Sequence, residues 1–333
     1  MLHARYTEVV IGGENLLSNG DFDVYLLFIR SLKIFLQVCV PVYFLISGYL
    51  FFLNVPDSPD YPFFTHKYKS RIHTLFIPYI IGNLVVIVMF FFAERYLGGI
   101  MSGTNRAISD YSFKELLQSL WYQQNNDGPI NEVLWFIREL MVMVLLSPLF
   151  YWLIKKTNYW CLIVLLLYYI LDCSRPIPGL RPVALYFFSL GAFFSIKEKD
   201  VIDSLSKYSL FFALSYLILF LLAVCTESIY LEKLSVTVGV PLIIISASSF
   251  VKRKGVHIEK KWITATFFLY IYHNYPAIIL KKLLIKIVGP SSNLDCFIIY
   301  FTTVVVVTVS LLVLYSILNK IFPRIIAVMV GGR

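Results

Sequence analysis

The chain has 333 residues, of which 59% are hydrophobic and only 15% charged, with a formal net charge of +9. A soluble domain sits nearer half apolar and a quarter charged, so this composition excludes an ordinary water-soluble globular fold. The apolar residues fall in blocks of about 20, the length of helix that crosses a bilayer.

In chain order the apolar segments are 34–53, 74–93, 134–154, 157–171, 183–196, 208–225, 236–250, 263–283 and 297–318. They predict an all-α, polytopic transmembrane helix bundle of about nine spans. The fourth and fifth fall short of the usual 17–25 residues and are read as tilted crossings. One set of alternate loops carries Lys67, Lys69 and Arg71, then Lys155 and Lys156, then Lys197, Lys199 and Lys207. It continues with Lys252, Arg253, Lys254, Lys260 and Lys261, and ends with Lys320, Arg324 and Arg333. This set is richer in Lys and Arg than the other, so it is assigned to the cytoplasm. The C-terminus is then cytoplasmic, and topology accounts for the net charge without a nucleic-acid partner. Nine spans with that polarity place the N-terminus outside, although residues 1–33 offer no signal-like segment. One further span before Met1 would resolve the conflict.

The longest polar stretch, 94–132, is placed outside the membrane within a single domain covering 1–333. It holds Tyr111, Phe113, Trp121 and Tyr122, and reads either as a small local fold with a task or as a plain lid. The five cysteines show no metal-ligand spacing. Cys173, Cys225 and Cys296 fall near the outer face, where a disulfide is allowed but not required.

Ionisable groups within a span are costly unless paired, and so mark candidate sites. Arg30, Arg138, Glu139 and His273 qualify. Trp135 and Glu139 are four apart and share a helix face. The pair suits a sugar contact, and Glu139 equally suits neutralising Arg138 or Arg30. His273, beside Tyr272, is either a proton relay or an interhelical hydrogen bond. Lys67, Lys69 and Arg71 directly precede the second span. At a helix N-terminus they would hold an anionic, phosphate-bearing ligand, though topology alone also explains them. Ser47 and Gly48 are read as small residues for close helix packing, not as a nucleophile motif. No Gly-x-Ser-x-Gly, Walker loop or His-Glu-x-x-His string is present.

The string Val40-Pro-Val-Tyr-Phe-Leu-Ile-Ser-Gly-Tyr-Leu-Phe-Phe52 strongly resembles the second span of the acyltransferase-3 family of membrane acyltransferases. Four further strings are similar to that family in the same order. They are Lys69-Ser-Arg-Ile-His-Thr-Leu-Phe-Ile-Pro-Tyr79, Val133-Leu-Trp-Phe-Ile-Arg-Glu139, Tyr186-Phe-Phe-Ser-Leu-Gly-Ala192 and Phe268-Leu-Tyr-Ile-Tyr-His273. The resemblance implies ten spans with both termini cytoplasmic, and a first span whose outer end carries a catalytic His. Met1-Leu2-His3-Ala4 looks like the end of that span, so His3 would be the catalytic residue and the span itself would be missing from the chain as written.

It further implies transfer of an acyl group, usually acetyl from acetyl-CoA, to a hydroxyl of a cell-surface polysaccharide or lipid-linked glycan in the bacterial inner membrane. Lys67, Lys69 and Arg71 would hold CoA phosphates, with no metal involved. His3 would act as general base or transient acyl carrier, with Glu139 beside it in the catalytic set. Trp135, Arg138, Tyr272 and His273 would contact the acceptor. The competing reading is a lipid-linked glycan flippase without chemistry.

Overall fold

A computed structural model describes residues 10–11, 14–15, 22–97, 107–123, 127–172, 177–197, 201–255 and 259–332. Apart from a two-residue antiparallel ladder between β1 (Val10–Ile11) and β2 (Glu14–Asn15), the regular structure described is helical. The helices are α1 (Asp23–Gln37), α2 (Cys39–Phe52), α3 (Tyr61–Arg71), α4 (Ile77–Leu97), α5 (Phe113–Ser119), α6 (Trp135–Leu145), α7 (Ser147–Thr157) and α8 (Trp160–Leu171). They continue as α9 (Pro182–Lys197), α10 (Val201–Ser206), α11 (Ser209–Thr226), α12 (Ile229–Lys254), α13 (Lys260–Tyr272), α14 (Asn274–Val288), α15 (Asn293–Ile321) and α16 (Pro323–Met329). Five helical runs among the described residues are long and apolar enough to cross a membrane, or six if a bent pair is one span. The chain is thus an all-α, multi-pass membrane protein.

Three segments differ from the sequence expectation. The first span begins at Asp23 rather than 34, because α1 runs almost unbroken into α2. The second is preceded by α3 and joined to it by a π-helical turn, Ile72–Phe76, so helix extends from Tyr61 to Leu97. The third is broken: α6 and α7 meet at 61°. Pro148, at the start of α7, has no N–H for the carbonyl four residues back, and its ring crowds that carbonyl.

The chain divides into two compact units, one of residues 1–29, 73–135 and 258–333, the other of residues 30–72 and 136–257. The second unit is built around α2 and α9. Gly48 and Gly191 face each other's helix so closely that a Cβ on Gly48 would overlap the Phe188 carbonyl, and one on Gly191 the Leu45 carbonyl. Small residues let helix backbones touch where lipid provides no hydrophobic drive, which is the packing role expected of Gly48. Phe44, Phe51, Phe52, Phe187 and Phe188 fill the space on either side and are fully buried.

In the first unit, α13 and α15 share a core of Ala265, Phe268, Val307, Leu311 and Tyr315, closed by Ile326 and Val330. The Thr264 and Tyr315 hydroxyls bond at 2.6 Å inside it. Part of 94–132 forms a local fold here. The Glu94 carboxylate accepts the Ile108 N–H at 2.6 Å, and Ser112 and Glu115 form a reciprocal cap on α5. Ile108, Ile130 and Leu116 then pack on Val86 and Tyr275.

Candidate functional site

The basic cluster lies on α3, whose N-terminus is capped at Tyr61 by the Asp60 carboxylate accepting the Phe63 N–H at 3.0 Å. Lys67, Lys69 and Arg71 therefore sit in the interior of a continuous helical run, not at a helix N-terminus as the sequence suggested. Their backbone N–H groups are spent on helix hydrogen bonds, so the side chains alone remain to bind an anion. Lys67 and Arg71 are four residues apart on one face and both half-buried, whereas Lys69 points away and is exposed. The Lys67 ammonium lies 5.4 Å from the Phe63 ring centre and 5.9 Å from that of Phe51. Like charges at this spacing repel by a few tenths of a kcal/mol, and no carboxylate lies within ion-pairing distance of either among the described residues.

The second candidate is the carboxylate of Glu139, fully buried with Arg138. Arg138 donates to its Oε1 at 2.8 Å. The Gly179 N–H donates to the same oxygen at 2.9 Å, and the Arg181 N–H to Oε2 at 3.0 Å. The Arg181 guanidinium stands 3.7 Å from Oε1. Gly179 has φ +96°, a conformation that favours glycine, and this turn aims the backbone N–H groups of Gly179 and Arg181, two residues apart, at one side chain. The carboxylate thus clasps the entry to α9 and pairs with Arg138. Arg30 pairs elsewhere, with Glu227 at 2.5 Å. Trp135, the first residue of α6, is half-buried.

The third candidate is a break in helix at His273, between α13 and α14. Pro276 explains it, since it can donate nothing to the Tyr272 carbonyl and crowds it. His273 Nδ1 lies 3.0 Å from the Leu269 carbonyl oxygen and 2.9 Å from that of Tyr270. Carbonyls only accept, so Nδ1 carries the hydrogen, and in the neutral ring Nε2 is the basic nitrogen. Three side chains, one from residues 130–133 and two from the helix itself, tie the break to that segment. The Asn131 amide donates to the Ile271 carbonyl at 3.0 Å and to that of Gly82 at 3.2 Å. The Tyr270 hydroxyl donates to the Val133 carbonyl, and the Tyr275 hydroxyl to that of Ile130. Tyr272 packs its ring on Phe268 at 4.8 Å between centres, and its buried hydroxyl has no hydrogen-bond partner among the described residues.

His3 and Cys173 lie outside the described residues. Cys225 and Cys296 are free thiols. Among the described residues no three His, Cys, Asp or Glu side chains cluster as a metal site would require.

Sequence reasoning missed Arg181 and Gly179, which reach Glu139 from some 40 residues away. It also missed a polar ladder in the second unit. Lys33 bonds both Glu232 oxygens at 3.1 and 3.0 Å, with Gln37 at 3.4 Å from one of them. Lys233 caps the C-terminus of α8 through the Ile170 and Asp172 carbonyls at 3.3 and 2.6 Å. The visible signal was the helical spacing of Arg30, Lys33 and Gln37, a polar stripe within an apolar segment.

The profile of the acyltransferase domain family matches residues 9–315. The chain belongs to the acyltransferase-3 family. It is also 29% identical over 174 residues to the succinoglycan biosynthesis protein ExoH of Rhizobium meliloti (strain 1021), an alignment covering 50% of this chain. The aligned part spans 42% of that relative's length, less than half of it. No solved structure matches.

Proposed function

We propose that this protein is a membrane-bound O-acyltransferase of the bacterial inner membrane, with a cytoplasmic C-terminus. It moves an acyl group, acetyl first among the candidates, from acyl-CoA to a hydroxyl of a cell-surface polysaccharide or lipid-linked glycan. Membership of an acyltransferase family carries the reaction class. The carbohydrate acceptor is suggested by the relative named for succinoglycan biosynthesis. The CoA donor rests on the half-buried Lys67–Arg71 face, two cations with no carboxylate in ion-pairing distance among the described residues, as suits a ligand bearing phosphates.

In this reading His3 takes the proton of the acceptor hydroxyl as its oxygen attacks the thioester carbonyl. The C–S bond then breaks, CoA leaves as thiolate, and the proton passes from the imidazole to the thiolate or to water. Glu139 acts as a positioning residue, fixing the 177–181 turn and the buried Arg138. Trp135, Arg138, Tyr272 and His273 remain the proposed acceptor contacts.

Isolated membranes carrying the protein, supplied with radiolabelled acetyl-CoA, test the proposal by label entering glycan. His3→Ala is expected to abolish labelling. Lys67→Gln with Arg71→Gln is expected to raise the KM for acetyl-CoA roughly tenfold or more, since each charged hydrogen bond contributes about 1.5–3 kcal/mol. Lys69→Gln, on the exposed side, is expected to change it less than threefold. Equal effects of Lys69 and Lys67 substitutions would remove the donor assignment, and absence of labelling with inserted, unaltered protein would remove the reaction.

A further inference from the structure

The groove between α4 and α16 lies within the first unit and takes no part in the chemistry proposed above. α16 starts directly after α15 has ended. Pro323, its first residue, needs no N–H partner there and sets the backbone for a helix. One face of α16 is spent on the protein. Ile326 and Val330 are buried in the core that includes Leu311 and Tyr315 of α15. Gly331 presses on the π-helical turn before α4, where a Cβ would stand 2.8 Å from the Thr74 carbonyl oxygen. The other face of α16 is apolar yet uncovered, with Ile325 57% and Val328 51% exposed. Together with Met329, and with Ile81 and Val85 of α4, these residues line an open groove of about 430 Å³. Apolar surface continues beside it on the same face of α4 through Leu84 and Val88, both exposed. α4 and α15 each belong to a helical run long and apolar enough to cross a membrane, so lipid is the medium that such a surface meets.

One lining residue departs from this pattern. Arg324 is exposed on the groove wall, and no carboxylate lies within ion-pairing distance of it among the described residues. A guanidinium beside hydrocarbon is costly until it meets a counter-ion, and its planar fork matches two phosphate oxygens at once. We propose that the groove seats one phospholipid, with the phosphate on Arg324 and a fatty-acyl chain along Ile81, Val85 and Val328. The two parts of that molecule answer the two parts of the site. A second copy of this chain could cover the apolar wall, but it would have to bring a carboxylate to Arg324. A polyprenyl diphosphate, with two adjacent phosphates, asks for more charge than the one cation among the described residues that line the groove. An anionic headgroup is preferred to a zwitterionic one, because it carries no ammonium group to offset the phosphate. Lys320, in the last turn of α15, adds to that preference.

The test uses the full chain, purified in detergent and stripped of lipid, with dioleoylphosphatidylglycerol as the probe. Dioleoylglycerol, which lacks the phosphate, and glycerol 3-phosphate, which lacks the chains, serve as partial probes. Native mass spectrometry follows binding during titration. Each partial probe should bind roughly tenfold or more weakly than the whole lipid, since each gives up one half of the contact. Arg324→Gln should weaken phosphatidylglycerol binding roughly fivefold, as loss of one cation at an anionic surface does, and leave dioleoylglycerol within about twofold. Val85→Phe with Val328→Phe, which fills the groove and spares Arg324, should displace both lipids. Arg253→Gln, which removes an exposed cation of the second unit, should leave binding unchanged. Equal weakening by Arg324→Gln and Arg253→Gln would reduce the effect to general surface charge and overturn the site. Binding that survives the two phenylalanines would take the chain out of the groove. A dimer that dissociates when they are introduced would make the groove a contact between copies and overturn the inference as well. Tighter binding of a polyprenyl diphosphate than of phosphatidylglycerol would give the groove to a lipid-linked acceptor instead. None of these readouts uses transfer activity, so the reaction proposed above stands or falls separately.

Discussion

Glu139→Ala is expected to destabilise the protein by about 3–5 kcal/mol, the cost of stranding a buried charge by removing its partner. Arg138 is fully buried, and the missing carboxylate would leave its guanidinium in a water-poor interior. The same substitution strips the Gly179 and Arg181 N–H groups of their acceptors, so the turn leading into α9 loosens with it. Thermal unfolding in detergent measures the loss, and hydrogen exchange across 177–181 shows where it falls. Glu139→Gln keeps one carbonyl oxygen as acceptor but gives up the charge, so it should fall between wild type and Ala. An Ala variant with an unaltered midpoint would mean that the clasp contributes nothing to folding.

The second large effect is expected where α2 meets α9. Replacing Gly48 or Gly191 by Ala places a methyl group on a backbone carbonyl of the facing helix, and backbone gives way less readily than a side chain. Each change should cost at the upper end of the roughly 1–3 kcal/mol known for overpacked cores. Gly191→Leu should prevent accumulation of folded protein. The two Ala changes should combine to less than their sum, because one small separation of the helices relieves both. Midpoints for the two single variants and the double variant decide this. A double variant as stable as wild type would show that the helices do not need to touch.

Much of this architecture was legible because the bilayer imposes it. Apolar length located most of the helices, and Gly48 was correctly read as a small residue for close helix packing. Arg138 and Glu139 were visible as a costly pair because their neighbours are Trp135, Phe136, Ile137 and Leu140. The mates of that pair were not visible, since Gly179 and Arg181 act through backbone N–H groups, which leave no mark in composition. The start of the first span was set too late because Arg30 and Lys33 interrupt its apolar run. Their counter-charges, Glu227 and Glu232, lie almost 200 residues further on. The basic cluster was assigned to a helix start because hydropathy changes at Ile72. Helix does not stop where hydropathy does, and α3 continues the same rod beyond the apolar part. Pro148 and Pro276 could have announced both breaks, and Pro276 in particular pointed to His273.

The contact between Gly48 and Gly191 also has a mechanical consequence. Two helices whose backbones meet have no side-chain layer to shear, so α2 and α9 will travel as one beam on the microsecond-to-millisecond scale of membrane rearrangements. Any widening that turnover demands within that unit must come from helices seated on side chains, such as α11, whose Leu210, Phe211, Leu214 and Ile218 are exposed. The beam should be the last part of the unit to exchange its amide hydrogens, and a disulfide engineered across it should leave turnover unchanged.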